Sequence, residues 1–275
     1  MSSNDISYLA DGGDATPVTS IPTVPVTEQR PVWTEHNNVK EAGMARANVA
    51  CTEQSPEGST YGNFTKDRAH QTVLQQHLDF FDLNHDNIIT PLETFIGFRR
   101  LGWNIVLAMM AVSIIHIGFS YGTQNSWVPD PLFRILTENI HKAKHGSDST
   151  TFDNEGRWKA QGFEDLFAKY GQKYESKDGS GETQWGLTFT QALGVINGQR
   201  VAFDFFGIFA SLFEWFAVYL TLWPEDGVMK MEDIRGVFDG SIFYTIADRR
   251  NANLQGRSKL KMWKKGRAAA RAKHN

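Results

Sequence analysis

With 275 residues, 41% of them hydrophobic, the chain can bury one substantial core or two small ones, which excludes a wholly disordered protein. The net charge of −3 hides an asymmetry: residues 249–275 hold 10 Lys or Arg and no Asp or Glu, leaving 18 basic against 31 acidic residues before them. A basic tail of this kind, with Trp263 in it, suits an anionic membrane surface, the acidic body or nucleic acid, because charge steers without choosing a partner; the plainer reading is a solvated, frayed terminus, and no specific nucleic-acid partner is expected. Cys51 is the single cysteine, which excludes an internal disulfide and suits a reducing, cytosol-facing location.

Residues 1–60 are rich in Thr, Ser, Pro, Gly and Asn, with no sustained apolar period and no apolar secretory segment in Met1 to Thr34, and predict a flexible N-terminal arm. Residues 61–100 read as a helix-loop-helix unit: Val73, Leu74, His77, Leu78 and Phe81 share a helical face leading into Asp82, and helical spacing resumes over Thr94 to Arg100. From Leu101 to Pro129 there is no charged residue, and about 20 residues at about 1.5 Å rise just cross a hydrocarbon core of roughly 30 Å. Asn104, Ser113 and His116 interrupt that run, and Pro129 and Pro131 follow it. Residues 101–131 therefore read as a lipid-anchoring segment with a proline turn that enters one leaflet or a droplet monolayer, the alternative being a buried helix of a soluble core.

Residues 132–248 predict a C-terminal helical domain, with short helices over Pro131 to Lys144, Phe163 to Tyr174 and Thr188 to Gly198, and polar loops over Gly146 to Arg157 and Glu175 to Gly181. In the aromatic segment Val201 to Trp223, Phe205, Phe209, Leu212, Phe213, Phe216, Leu220 and Trp223 form a wide apolar stripe. Asp204, Gly207, Ser211, Glu214 and Thr221 take the narrower opposite face. Such a helix suits a core or a membrane interface. No alternating run calls for a sheet, so the expected fold class is mostly α, closed by the basic tail 249–275.

The strongest local signal is the twelve-residue stretch from Asp82 to Glu93. Calcium hands need oxygens at positions 1, 3, 5, 7, 9 and 12, and Asp82, Asn84, Asp86, the Ile88 carbonyl, Thr90 and Glu93 stand there. Position 6 is Asn87 where Gly is usual, and Asn is the residue that best tolerates the left-handed backbone required. A solvated turn is the competing reading. A second stretch, Glu225 to Asp233, has an Asp-Gly turn but places Leu222 and Pro224 where oxygens belong, so it predicts a degenerate second hand that pairs with the first and binds little calcium.

Three blocks occur together and in order: Leu74 to Asp82 with its Gln-Gln-His-Leu-Asp-Phe-Phe core, the loop ending Thr90-Pro91-Leu92-Glu93-Thr94, and Asn139 to Ser149 followed by Phe152 to Arg157. Together they resemble the caleosins, also called plant and fungal peroxygenases, over roughly Tyr61 to Asp248. The resemblance implies a calcium-binding hand, a central membrane-associated segment, attachment to lipid droplets or endoplasmic reticulum, and haem b held through His77 and His145. It further implies oxygen transfer from a fatty acid hydroperoxide to unsaturated fatty acids, with those two histidines as the catalytic pair. From the residues alone, His77 is a lone histidine on a helix face. His141, four positions before His145, rivals it as a ligand, and that spacing equally suits zinc or plain exposure. Which histidine is proximal stays open at this level, as do a homo-oligomer and a non-enzymatic calcium-binding role as a droplet structural or adaptor protein.

Overall fold

Reciprocal caps set the starts of three helices. At Thr72/Gln75, Thr90/Glu93 and Thr188/Gln191 the threonine hydroxyl accepts from the backbone N–H three residues on, while the longer side chain accepts from the threonine N–H. The computed structural model describes residues 45–175 and 183–255. In chain order the elements are α1 (Phe64–Asp67), α2 (Val73–Asp79), β1 (Ile88–Ile89), α3 (Pro91–Leu101), α4 (Ile105–Thr123), β2 (Ile135–Leu136), a 3-10 turn (Thr137–Ala143) and α5 (Ala160–Tyr170). There follow β3 (Gln172–Glu175), β4 (Thr183–Thr188), α6 (Phe189–Gln199), α7 (Phe205–Leu222), β5 (Val228–Lys230), α8 (Met231–Phe238) and α9 over residues 241–255.

The mostly helical expectation holds, with a three-stranded antiparallel sheet added to it. β4 pairs with β3 on one side and β5 on the other, in register Lys173↔Trp185 and Leu187↔Met229. Thr183–Thr188 carries too little alternation to announce a strand; pairing on both sides makes it one. For the same reason the helix expected over Phe163 to Tyr174 stops at Tyr170, where Gly171 turns the chain into β3. The helix expected over Pro131 to Lys144 is instead β2 and the 3-10 turn, because β2 is drawn into pairing with β1 at Ile88↔Leu136 and Ile89↔Ile135.

That pairing also corrects the expected partnership of the two hands. The degenerate stretch, whose strand is β5, pairs with β4 and leaves the first loop to β2. Its helix-turn-strand-helix outline survives, with Asp226 Oδ1 accepting from Val228 N at 3.1 Å, but its partner is the α5 to α6 region.

Two cores result. One gathers Trp158, Phe163, Phe167, Leu187, Met229 and Ile234, and the other Phe80, Phe81, Phe98, Trp103, Ile135 and Phe243. The stretch 45–60, expected to belong to the arm, is packed instead: Ala47, Ala50 and Cys51 are buried, the Cys51 carbonyl accepts from the Trp158 indole at 2.7 Å, and Ser59 Oγ donates to Asp239. Small side chains let this non-periodic strand of chain lie flat against larger ones. The rest of the arm, residues 1–44, most of the loop after Glu175, and the tail beyond residue 255 lie outside the described residues.

Helices α4 and α7 have mean hydropathies of 1.9 and 1.7 and are only 22% and 28% buried. The polar residues that interrupt α4 are all engaged: Asn104 caps the helix, Ser113 donates to the Met109 carbonyl, and His116 sits between Thr94 Oγ1 at 2.8 Å and the Phe133 carbonyl at 2.6 Å. α7 buries Trp215 and packs Phe213 and Leu220 against the core, but its first turns leave large apolar side chains bare. Gly207, Ser211 and Thr221 face the body, whereas Phe205, Phe206, Phe209 and Leu212 are exposed.

Gly240 sets how closely the end of α8 approaches α2. It has φ +80°, and a Cβ there would lie 2.8 Å from the Gln76 carbonyl oxygen and 2.9 Å from the His77 Cα. We expect Gly240→Ala to lower stability by about 1–3 kcal/mol in a denaturant titration, since it combines a strained backbone with a clash against backbone atoms. An unchanged unfolding midpoint would count against this packing.

Candidate active site

A cavity of about 270 Å³ lies among α2, α3, α4, α6, α7 and α8, and both His77 and His145 line it. Its walls are largely aliphatic and aromatic, including Phe81, Phe98, Ile115, Phe119 and Phe213. His141 is not among the lining residues; it lies in the 3-10 turn.

His77 sits near the end of α2, on a helix whose start is fixed by the Thr72/Gln75 cap. Its Nδ1 is 2.7 Å from the Val237 carbonyl. A carbonyl can only accept, so Nδ1 carries the proton and Nε2 the lone pair in the neutral ring. Phe243 packs edge-on at 5.3 Å between centroids. Burial pushes the imidazole below its ordinary pKa, and the Val237 carbonyl with the Glu214 and Asp239 carboxylates only partly offsets that.

His145 is held differently. Its Nε2 lies 3.2 Å from Glu214 Oε1 on α7, while its Nδ1 is buried and has no hydrogen-bond partner. The loop that carries it is pinned from both sides: Ser147 Oγ donates to Asp204 Oδ2 at 2.8 Å, and Ser211 Oγ donates to the Ser147 carbonyl. Lys144 Nζ donates to the Phe152 and Asp153 carbonyls at 2.7 and 3.0 Å. Burial alone would lower the His145 pKa, but the Glu214 carboxylate, joined by Asp148 and Asp204, holds the ring above its ordinary value.

Glu214 was legible in the sequence only as a polar position on α7. Its placement beside His145 depends on how α7 is rotated, with the carboxylate at the edge of the cavity and half exposed. The signal available was its isolation, since Phe205–Leu222 contains no other ionisable acid or base except Tyr219.

His77, with Nδ1 tied to the Val237 carbonyl and its Nε2 lone pair left over in an otherwise apolar cavity, is a donor that fits an iron porphyrin, and His145 is a second imidazole on the same cavity. His145 Nδ1 as a buried orphan is the observation that speaks for a bound group.

In the loop from Asp82 to Glu93, Asn87 takes the left-handed backbone expected at its position (φ 65°), and His85 takes it too (φ 56°), which the sequence pattern did not call for. Asp82 accepts from Asp86 N and Asn87 N at 3.2 and 2.9 Å, and Asp86 Oδ1 accepts from Ile88 N at 2.8 Å. Glu93 closes the loop, its Oε1 accepting from Leu83 N at 3.3 Å and its Oε2 from Thr90 N at 2.9 Å. The oxygens are thus satisfied locally, and among the described residues no three His, Cys, Asp or Glu side chains converge as a metal site. The chemistry of the donor set nevertheless suits a hard cation. Burial raises the Asp82 pKa, Asp86 and Glu93 add repulsion, and the backbone N–H groups only partly relieve it. Thr137 N donates to the Asn87 carbonyl at 3.0 Å, so the loop touches the turn that leads to His145 as well as the helix that carries His77.

Fold and site together define a helical protein with a histidine-bearing apolar cavity beside two helices of membrane-like composition. A family model described as caleosin related protein matches residues 69–247. The chain is 35% identical to a peroxygenase of Lilium longiflorum over 237 residues, 84% of this chain and 94% of the relative. It is 32% identical to a probable peroxygenase 4 of Arabidopsis thaliana over 179 residues, 65% of this chain and 87% of the relative. A probable inactive peroxygenase-like protein of Arabidopsis thaliana is 25% identical over 168 residues, 60% of this chain and 75% of that protein. No solved structure matches. The chain belongs to the caleosin family. Its peroxygenase-named relatives make it an oxidoreductase of the peroxygenase class.

For His145 the folded pKa exceeds the unfolded one, so stabilisation by the Glu214 pair is complete below the ordinary imidazole value and fades as pH rises through the raised value. Glu214→Gln is expected to move the His145 titration to lower pH, followed through imidazole proton shifts. A titration that stays in place would show that the carboxylate does not act on the ring.

Proposed function

We propose that the protein is a calcium-dependent haem peroxygenase that transfers oxygen from a fatty acid hydroperoxide to unsaturated fatty acids, by hydroxylation or epoxidation, at the cytosolic face of lipid droplets or endoplasmic reticulum. The observation that carries this reading is that His77 and His145, distant in sequence, line one apolar cavity, with the Nε2 lone pair of His77 left over. Haem b, when bound, supplies the oxygen-transfer chemistry. The residues do the rest: His77 offers Nε2 to the bound group, His145 stands beside the Glu214 carboxylate, and walls such as Phe81, Ile115 and Phe119 take an acyl chain and exclude water.

Calcium would enter the loop through Asp82, Asn84, Asp86, the Ile88 carbonyl, Thr90 and Glu93. Two routes would carry its effect to the site. One is α2, which holds His77 shortly before the loop, and the other is the β1–β2 pair with the Thr137–Ala143 turn leading to His145. The outward apolar faces of α4 and α7 support contact with a lipid monolayer.

Reconstituted wild-type protein should show the absorption band of bound haem, and His77→Ala should abolish it. Colourless, iron-free protein that still takes up calcium would instead support a non-enzymatic adaptor or droplet coat. Glu93→Gln should weaken calcium binding at least about tenfold by calorimetry, as expected on losing a bidentate carboxylate. It should also lower turnover at limiting calcium, and full turnover in excess chelator would sever calcium from activity.

A further inference from the structure

We propose that Glu214 is a positioning residue that holds His145 in its Nε2–H form, so that His77 alone ligates the bound group and His145 presents Nδ1 to the peroxide substrate. This rests on the haem peroxygenase reading above. Because a carboxylate only accepts, the 3.2 Å contact places the Nε2 proton of neutral His145 on Glu214 and leaves the lone pair on Nδ1. In His77 the Val237 carbonyl at 2.7 Å dictates the reverse, with the lone pair on Nε2.

The two histidines are therefore inequivalent. Nε2 stands at the tip of an imidazole, where a flat macrocycle can approach it. Nδ1 stands next to Cβ, where the same macrocycle would meet the residue's own backbone. A small O–H group, by contrast, carries no such bulk. His145 Nδ1 is buried without a partner in a side chain that is 6% exposed, and that side chain lines the cavity.

The loop cannot easily swing the ring to present Nε2 instead. Ser147 is tied to Asp204 and Ser211, a Cβ on Gly146 would lie 3.0 Å from Asp204 Oδ2, and Phe206 packs edge-on to the ring at 6.4 Å. Glu214 itself is 48% exposed, so it stands where the cavity meets its surroundings and its substitution leaves the core intact.

Two measurements on the full chain test this separately. In haem-free protein with ¹⁵N-labelled histidine, long-range proton–nitrogen NMR above the imidazole titration should show His145 as the Nε2–H form in wild type and in Glu214→Gln, whose amide oxygen still accepts. Glu214→Ala should lose that form; a spectrum unchanged in Glu214→Ala overturns the positioning role. In haem-loaded protein, His145→Ala should retain the haem band that His77→Ala loses while turnover falls about 100-fold or more, the usual effect of removing a general acid or base.

Glu214→Ala should lower turnover about tenfold, as loss of an orienting partner does, and should add nothing in the His145→Ala background. Loss of haem in His145→Ala, or an undiminished effect of Glu214→Ala in that background, overturns the assignment. A wild-type chain that takes up no haem overturns the underlying reading and the role toward peroxide, while the NMR result still decides the Glu214 contact.

Discussion

A neutral imidazole has one N–H and one lone pair, and once the ring is buried the acceptor beside it decides which nitrogen keeps which. The site depends on that constraint. Val237 makes the choice for His77 and Glu214 makes it for His145, and both acceptors come from the C-terminal part of the chain. The carbonyl is held by the close approach of α8 to α2 that Gly240 permits, and the carboxylate by its place on α7. The blocks that contain the histidines therefore supply the rings, whereas helices far downstream set which nitrogen keeps the proton.

This division explains how much was legible in the sequence. His77, His145 and the loop from Asp82 to Glu93 stand in contiguous blocks whose resemblance could be read directly, and α6 was legible as a short helix over Thr188 to Gly198. Glu214, Asp204 and Ser211 could be seen only as one face of a helix. Periodicity says which residues share a face but not which way that face points, and here the ordinary assumption that aromatic residues face the core holds for Phe213 and Trp215 but fails for Phe205, Phe206 and Phe209. The sheet was hidden for a related reason. β4 and β5 are short, and what makes them strands is each other, a non-local fact that no window of sequence contains.

The bare first turns of α7 and the bare outer face of α4 belong together. Phe206 lies across Gly118, its ring tip 3.4 Å from where a Cβ would stand, so the two helices meet at a point where one has an aromatic ring and the other no side chain. Residues of these helices also line the cavity, Ile115 and Phe119 from one and Phe213 from the other. A single layer of helix thus separates the apolar exterior from the two histidines.

The stretch before α1 has a role that its composition conceals. Thr52 and Ser55 donate to the two carboxylate oxygens of Glu232, and Ser59 donates to buried Asp239, so this segment straps down both ends of α8. Arg235 lies between those carboxylates and also donates to Ser59. The match to the family begins only at residue 69, downstream of the strap. The alignment with the lily relative, which covers 84% of this chain, is long enough to take the strap in. A protease that nicked the segment near Cys51 would loosen the Val237 carbonyl, and with it the heterocycle at position 77, without touching any residue of the cavity.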